Sequence, residues 1–367
     1  MTTIIPPMIP LGDQPPSDFN GDGTSDILWH NTNGDTAIWY SVASGGYSPV
    51  DLGVVDTSWI PEATGDFTAN GRAGILWRNT NGEVGEWISN GGSSGADFTK
   101  LDLGNVNPSW AIEGTGDFNG DGTSDILWNN TNGDTAIWYS VATGGFSPVD
   151  LGVVDPSWSV QSVGDFNGSG KAGILWRNAN GEVGLWLSNG SPSGFTKLDL
   201  GNVSTDWVTQ GVGDFNHDGT SDILWRNTVT GDTAIWFISS NGAFSPYDLG
   251  VVDLNWTIAG VGDYNADGKA DILWRNTNGA VGEWLSNAGS GFTGFDKIVL
   301  ATAPTSWSIV GSNPPASAPP AATANPTAMV HAMAAMGAPS AAPALASAVA
   351  HDTASHPMIA APALRFA

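Results

Sequence analysis

The chain of 367 residues contains no cysteine. A disulfide scaffold, a zinc–thiolate site and a thiol nucleophile are therefore excluded. Basic residues are scarce: 11 Lys and Arg stand against 36 Asp and Glu, for a net charge of −25. That excess repels phosphates and argues against a nucleic acid or an anionic membrane as partner, while leaving cations open. Charged residues of both signs make up only 13% of the chain. No stretch of about 20 apolar residues runs free of Gly, Pro and polar breaks, so no transmembrane helix is expected. The opening MTTIIPPMIPLGDQPP has no basic segment followed by an apolar one, and no N-terminal signal peptide is recognised. What is abundant is Gly (49) and Trp (18). Many glycines and aromatics with few charges point to turn-rich β structure.

The phrase GDFNGDGTSDILW recurs in varied form, led by Asp18, Asp66, Asp117, Asp165, Asp214 and Asp263. Six units of about 49 residues fill the chain from 18 to 312. Each unit holds three Trp. In the first these are Trp29 after DIL, Trp39 in the next run and Trp59 before the following GD.

Each unit reads as four short strands. In the first, the strands are expected over Asp26–His30, Thr36–Val42, Pro49–Val55 and Trp59–Thr64. Asn33-Gly34 is a strong hairpin signal between the first two. Ala37 and Trp39 fall on one face of the second strand, and Ile38, Tyr40 and Val42 on the other. Strands apolar on both faces must be covered on both, as a propeller blade is by its neighbours. The first unit lacks a strand of the SWxIxG type before Asp18. An orphan copy, Ser306-Trp307-Ser308-Ile309-Val310-Gly311, follows the sixth unit and can complete the first blade. The fold class expected is thus all-β: a six-bladed β-propeller of four-stranded antiparallel blades, closed by a C-terminal strand.

A longer period lies beneath. Units one, three and five carry GDTAIW; units two, four and six carry GEVGEW, GEVGLW and GAVGEW. The ring is pseudo-threefold in sequence, as duplication of a two-blade piece would leave it. Residues 1–17 form an N-terminal extension. Residues 313–367 are rich in Ala and Pro and read as a disordered low-complexity tail.

The most specific motif is D-x-N-x-D-G-x-x-D. It appears as Asp18-Asn20-Asp22-Gly23-Asp26, Asp117-Asn119-Asp121-Gly122-Asp125, Asp214-Asn216-Asp218-Gly219-Asp222 and Asp263-Asn265-Asp267-Gly268-Asp271. Alternate side chains of a tight loop can converge on one point, and oxygen-only donors suit a hard cation such as Ca²⁺. The seventh residue (Thr24, Thr123, Thr220, Lys269) would offer its backbone carbonyl. Bare Asn/Asp-Gly turns are the simpler alternative. Four copies with three carboxylates each are hard to explain that way, since the carboxylates repel one another. This is not an EF-hand, because the twelfth position is Trp where Glu is needed. The loops led by Asp66 and Asp165 keep one carboxylate of three and are expected to stay empty or bind weakly.

The motif, within a repeat of about 49 residues, resembles the FG-GAP or VCBS repeat of integrin-α-like propellers and of many bacterial extracellular proteins. The likeness covers residues 18–311. It implies about four structural Ca²⁺ ions and a ring that serves adhesion or ligand binding. Some relatives are lectins with sugar sites on the ring.

A Trp face stacks on a sugar, and Arg and Glu bond its hydroxyls. The candidates for a sugar site are Arg78, Arg177, Arg226 and Arg275, each directly after LW, with Glu86 and Glu283. The plainer alternative is that each repeated Trp packs between blades and that the arginines pair with strand-edge carboxylates. An enzyme is less expected: only His30 and His217 lie in the ring, and no nucleophile elbow, HExxH or phosphate-binding Gly loop is present. The sequence thus predicts a non-catalytic, calcium-binding module, a monomeric propeller with an extracellular protein or glycan partner. Calcium loops of modest affinity fill where calcium is abundant, so a secreted or cell-surface location is expected, through an uncleaved export signal. A lectin is the alternative function and a glycan-active hydrolase or lyase a minor one.

Overall fold

A computed structural model describes residues 17–42, 46–91, 97–141, 145–287 and 291–310. The expected tail at 313–367 lies outside the described residues, as does the N-terminal extension up to residue 16. Among the described residues there are twenty-four strands and no helix. The first unit supplies β1 (Ile27–Asn31), β2 (Asp35–Ser41) and β3 (Tyr47–Val54). The second supplies β4 (Trp59–Gly65), β5 (Gly74–Asn79), β6 (Glu83–Ser89) and β7 (Phe98–Asn105). The third gives β8 (Trp110–Gly116), β9 (Asp125–Asn130), β10 (Asp134–Ser140) and β11 (Phe146–Val153), and the fourth β12 (Trp158–Gly164), β13 (Gly173–Asn178), β14 (Glu182–Ser188) and β15 (Phe195–Asn202). The fifth gives β16 (Trp207–Gly213), β17 (Asp222–Asn227), β18 (Asp232–Ile238) and β19 (Phe244–Val251). The sixth gives β20 (Trp256–Gly262), β21 (Asp271–Asn276), β22 (Ala280–Ser286) and β23 (Phe295–Thr302), and β24 (Trp307–Val310) follows it.

These strands form six four-stranded sheets, each antiparallel throughout. Five are consecutive in the chain. The sixth has the order β24-β1-β2-β3, so the orphan copy completes the first blade with Trp29 opposite Ile309. The innermost strands β4, β8, β12, β16, β20 and β24 touch their neighbours in a closed cycle. The fold is a six-bladed propeller clasped by its last strand.

Local chemistry explains the blade. Asn33-Gly34 turns β1 into β2, with Gly34 at φ 92° and its amide bonded to Asn31 O at 2.9 Å. A side chain at that glycine would collide with Val55 O, 2.0 Å from the added Cβ. Beyond the turn, the two faces of β2 go to different neighbours. Ile38 and Tyr40 pack with Ala73, Ile75 and Trp77 of blade 2, whereas Ala37 and Trp39 pack with Leu273 and Val281 of blade 6. Trp29, Trp77, Trp128, Trp176, Trp225 and Trp274 are the largest fully buried side chains. Each such indole contributes about 3 kcal/mol by burial, the main term holding one blade to the next.

Two expectations need correction. The cover on both faces fails at the outer strands: Val54 on β3 is 71% exposed and Val299 on β23 is 75% exposed. Radial blades splay apart as they leave the axis, so their outer edges lose their neighbours. Val42, expected inside β2, lies beyond its end and is exposed.

The candidate metal loops and the seams around them

The six Asp-led loops gather around one mouth of the central channel, where they line a cavity of about 270 Å³. They are tied to one another. The amide of the eighth loop residue donates to the carbonyl of the first residue of the preceding loop. The bonds are Ala73 N to Asp18 O (2.6 Å), Ser124 N to Asp66 O (2.6 Å), Ala172 N to Asp117 O (2.7 Å), Ser221 N to Asp165 O (2.6 Å) and Ala270 N to Asp214 O (2.8 Å). Ser25 N to Asp263 O closes the belt.

Within the first loop the leading carboxylate caps the turn. Asp18 Oδ1 accepts the Gly21 amide at 2.6 Å, and Oδ2 accepts the Gly23 amide at 2.8 Å. Asn20 Nδ2 donates to Asp22 Oδ2 at 3.0 Å, and Asp22 Oδ1 accepts the Thr24 amide at 2.9 Å. The ninth residue, Asp26, takes the amide of Phe19 on one oxygen and that of Ser41 on the other, both at 2.9 Å. The other complete loops repeat the pattern: Asp125 takes Phe118 and Ser140, Asp222 takes Phe215 and Ile238, and Asp271 takes Tyr264 and Ser286. Asn119, Asn216 and Asn265 likewise donate to Asp121, Asp218 and Asp267. Thr123 and Thr220 donate to Asp121 and Asp218 as Thr24 does to Asp22. Lys269 turns its ammonium away, onto Asn287 O and Gly291 O.

These ninth-position carboxylates are buried: Asp26 is 3% exposed, and Asp125, Asp222 and Asp271 are 0% exposed. Burial pushes Asp26, Asp125 and Asp271 up to about 8 and Asp222 up to about 9, against the pull of their amide bonds. The other charges acting on each are the first and fifth carboxylates of the same loop, which push the same way. Burial likewise raises Asp18, Asp117, Asp214 and Asp263.

The loops led by Asp66 and Asp165 keep the same backbone cap, with Gly71 N on Asp66 Oδ2 at 2.7 Å and Gly170 N on Asp165 Oδ2 at 2.6 Å. They have no space for a ninth carboxylate. A Cβ at Gly74 would stand 2.8 Å from Trp87 O, and one at Gly173 would stand 2.7 Å from Trp186 O.

Among the described residues, no group of three or more Asp, Glu or His side chains closes on one point as a metal centre would. The carboxylates of a loop each serve amides instead. The donor chemistry nevertheless fits a hard divalent cation: all the side-chain donors are oxygens, and a carboxylate has about four acceptor sites, of which Asp26 uses two.

The residues expected at a sugar site are not brought together. Each arginine reaches from its own blade to the connection into the next. Arg78 donates to Gly82 O and Val106 O, both at 2.8 Å, and its guanidinium lies over Trp128, 5.3 Å from the ring centre. Arg177, Arg226 and Arg275 do the same over Trp225, Trp274 and Trp29. Their hydrogen-bond partners are backbone carbonyls and, for Arg226, also the Thr233 hydroxyl, rather than the strand-edge carboxylates of the plainer alternative. Glu86 and Glu283 are buried, 3% and 5% exposed. His30 bonds Thr36 Oγ1 and His217 bonds Gly268 O, in different blades.

Sequence reasoning missed two features. One is a groove of about 390 Å³ between blades 1 and 2, lined by Trp59, Trp77, Trp87, Glu83, Lys100 and Asp102. The Lys100 ammonium sits 3.6 Å from the centre of the Trp87 ring. Its signal was a lysine in units two, four and six only, and Lys197 and Lys297 cover Trp186 and Trp284 in the same way. The other is a row of bulges. Glu62, Glu113, Gln161, Gln210 and Ala259 each interrupt the ladder of an inner strand.

The geometry defines a closed six-bladed propeller with acidic loops belted around one mouth of its channel. Residues 214–274, one whole loop-to-loop period, match the family model of the FG-GAP-like repeat. Together with the six blades, that match supports an FG-GAP-repeat propeller. A comparison with curated proteins finds no match. FG-GAP repeats are typical of extracellular proteins. No helix among the described residues is long and apolar enough to cross a membrane.

Proposed function

We propose that the protein is an extracellular, non-catalytic binding and adhesion module whose four complete Asp loops take up Ca²⁺. The propeller fold supports a binding role in general. The calcium reading rests on one observation: four buried ninth-position carboxylates have only other carboxylates as charged influences, and the two loops without them have no space for them. A cation is the species that offsets such charge. Asp18, Asn20, Asp22 and Asp26, with their counterparts in loops three, five and six, would hold it; bound there, it would fix the channel mouth. Calorimetric titration of calcium into chelator-treated protein tests this. Four equivalents are expected, and a flat titration overturns it.

A lectin is the second reading, favoured by the Trp59–Trp87 groove with its polar rim of Glu83, Lys100 and Asp102. A glycan array run with and without chelator separates the two readings. Sugar signals lost on Trp87→Ala support the lectin, and a blank array leaves a protein ligand as the partner class.

A further inference from the structure

The fourth residue of β2, β10, β14 and β18 is Ile38, Ile137, Leu185 or Ile235, each 0% exposed. In β6 and β22 the same position holds a carboxylic acid, Glu86 or Glu283. These acids stand in the apolar seams between blades. Glu86 lies in register with Leu76 and Leu101, and Leu76 packs with Trp138 and Phe146 of blade 3. Glu283 lies in register with Leu273, which packs with Trp39 and Tyr47 of blade 1. Tyr47 and Phe146 hold equivalent places, 5.8 and 5.7 Å from Trp39 and Trp138. The hydroxyl of Tyr47 donates to Glu283 Oε1. Phe146 has no hydroxyl, and Glu86 Oε1 is buried without a partner. At the third equivalent seam the pair is apolar, Leu185 with Phe244.

We propose that the seam between blades 2 and 3 is a pH-sensitive joint of the ring, sealed while Glu86 keeps its proton and loosened when it loses it. Geometry carries this: an acid fills a hydrocarbon site, and the donor that serves its twin is missing. Burial, the one cause acting on Glu86, raises it to about 7. The charged groups on the facing surfaces are Arg78 on β5, Asp134 on β10 and Asp150 on β11. Arg78 is spent on Gly82 O and Val106 O, and none of the three contributes to that shift. Burial raises Glu283 as well, but its ionised form retains the Tyr47 hydroxyl. The sign follows. Below about pH 4.5 Glu86 is protonated in both folded and unfolded chains. Above that the folded chain holds the proton longer, so the contribution of Glu86 to stability falls with rising pH until about pH 7 and is level beyond.

The test uses the intact chain. Melting temperatures of wild type, Glu86→Leu and Phe146→Tyr are followed from pH 5 to pH 8 in one buffer system. Leu is what blade 4 carries at this place, so the first variant keeps a packed seam. Wild type is expected to lose on the order of 5 °C more than Glu86→Leu over this range. Phe146→Tyr is expected to recover part of that loss. Rate-corrected hydrogen exchange should rise in β6 and β10 between pH 6 and pH 8 in wild type and not in Glu86→Leu. Parallel pH profiles for wild type and Glu86→Leu, or exchange that rises equally at the seam between blades 6 and 1, overturn the proposal.

Discussion

The amide of Ser25 lies 2.6 Å from the carbonyl of Asp263, and this bond fastens the first loop of the chain to the last. It is the sixth link of the belt around the channel mouth. The same aspartates that head the loops therefore bear two loads: their carbonyls join neighbouring blades, and their carboxylates cap their own turns. An ion held in one loop would act on the next through the backbone.

Position-specific loss of calcium is the first expectation. Asp26→Ala and Asp125→Ala should each remove one equivalent in a calorimetric titration, because each removes the buried ninth carboxylate of one loop. Asp66→Ala should remove none. Each bound ion adds to stability by mass action, about 2.7 kcal/mol when free calcium is a hundred times the dissociation constant. The melting temperature of wild type should accordingly rise with calcium more than that of either variant.

The pH profile of the chelator-treated protein should run opposite to that of a protein whose carboxylates are held ionised by salt bridges. Asp26, Asp125, Asp222 and Asp271 are raised by burial to about 8 or 9, far above their range in the unfolded chain. Below about pH 4 both states are protonated, and the folded protein is at its best. As pH rises toward 8 or 9 the unfolded chain has released these protons and the folded one has not, so stability declines. Melting curves at pH 5 and pH 9 in chelator check this. Excess calcium should reverse the trend, since the ion binds the ionised form.

The arginines should prove to be braces. Arg226 is 5% exposed, donates to Thr233 Oγ1, Val252 O and Trp256 O, and lies over Trp274 at 5.1 Å. Arg226→Ala leaves several buried acceptors unpaired and should cost about 2–4 kcal/mol, read as a fall in denaturant midpoint. Arg226→Lys should recover little, because an ammonium does not span three acceptors in one plane. Any ligand binding measured under native conditions should survive.

Repeat number, strand order and clasp were legible because a Trp, a Gly turn and an Asp recur in register, and a period needs no tertiary knowledge to be seen. Ser306–Val310 was readable as the missing strand for the same reason. Arg78 was misread because its position after LW says that it lies beside an indole but not that the indole belongs to the next blade. Glu86 was legible as an anomaly, since aligning the units sets it against Ile38, Ile137, Leu185 and Ile235. Its burial was not, because the chain gives no direct sign of which face of a blade meets a neighbour. Glu62 and Glu113 escaped notice because a bulge reverses the alternation that sequence reading relies on.

Coupling through the belt should make the four complete Asp loops unequal in the calcium affinity proposed for them. Loops five, six and one are neighbours, joined by Ala270 N to Asp214 O and Ser25 N to Asp263 O. Loop three stands between the two loops that lack a ninth carboxylate, reached through Ser124 N to Asp66 O and Ala172 N to Asp117 O. Removing the ion from loop six should leave the first residue of loop five and the eighth residue of loop one bonded to a looser partner. Ordering that loop on binding then falls to its neighbours, which lowers their affinity. Asp271→Ala should therefore lose one equivalent and weaken two of the remaining three, by about 5-fold or more on the scale of an ordinary coupling energy. Asp125→Ala should lose one equivalent and leave the other three unchanged. Calcium isotherms of the two variants at one pH distinguish these outcomes. Equal residual affinities in both would show that the belt holds the blades together without carrying information between the loops.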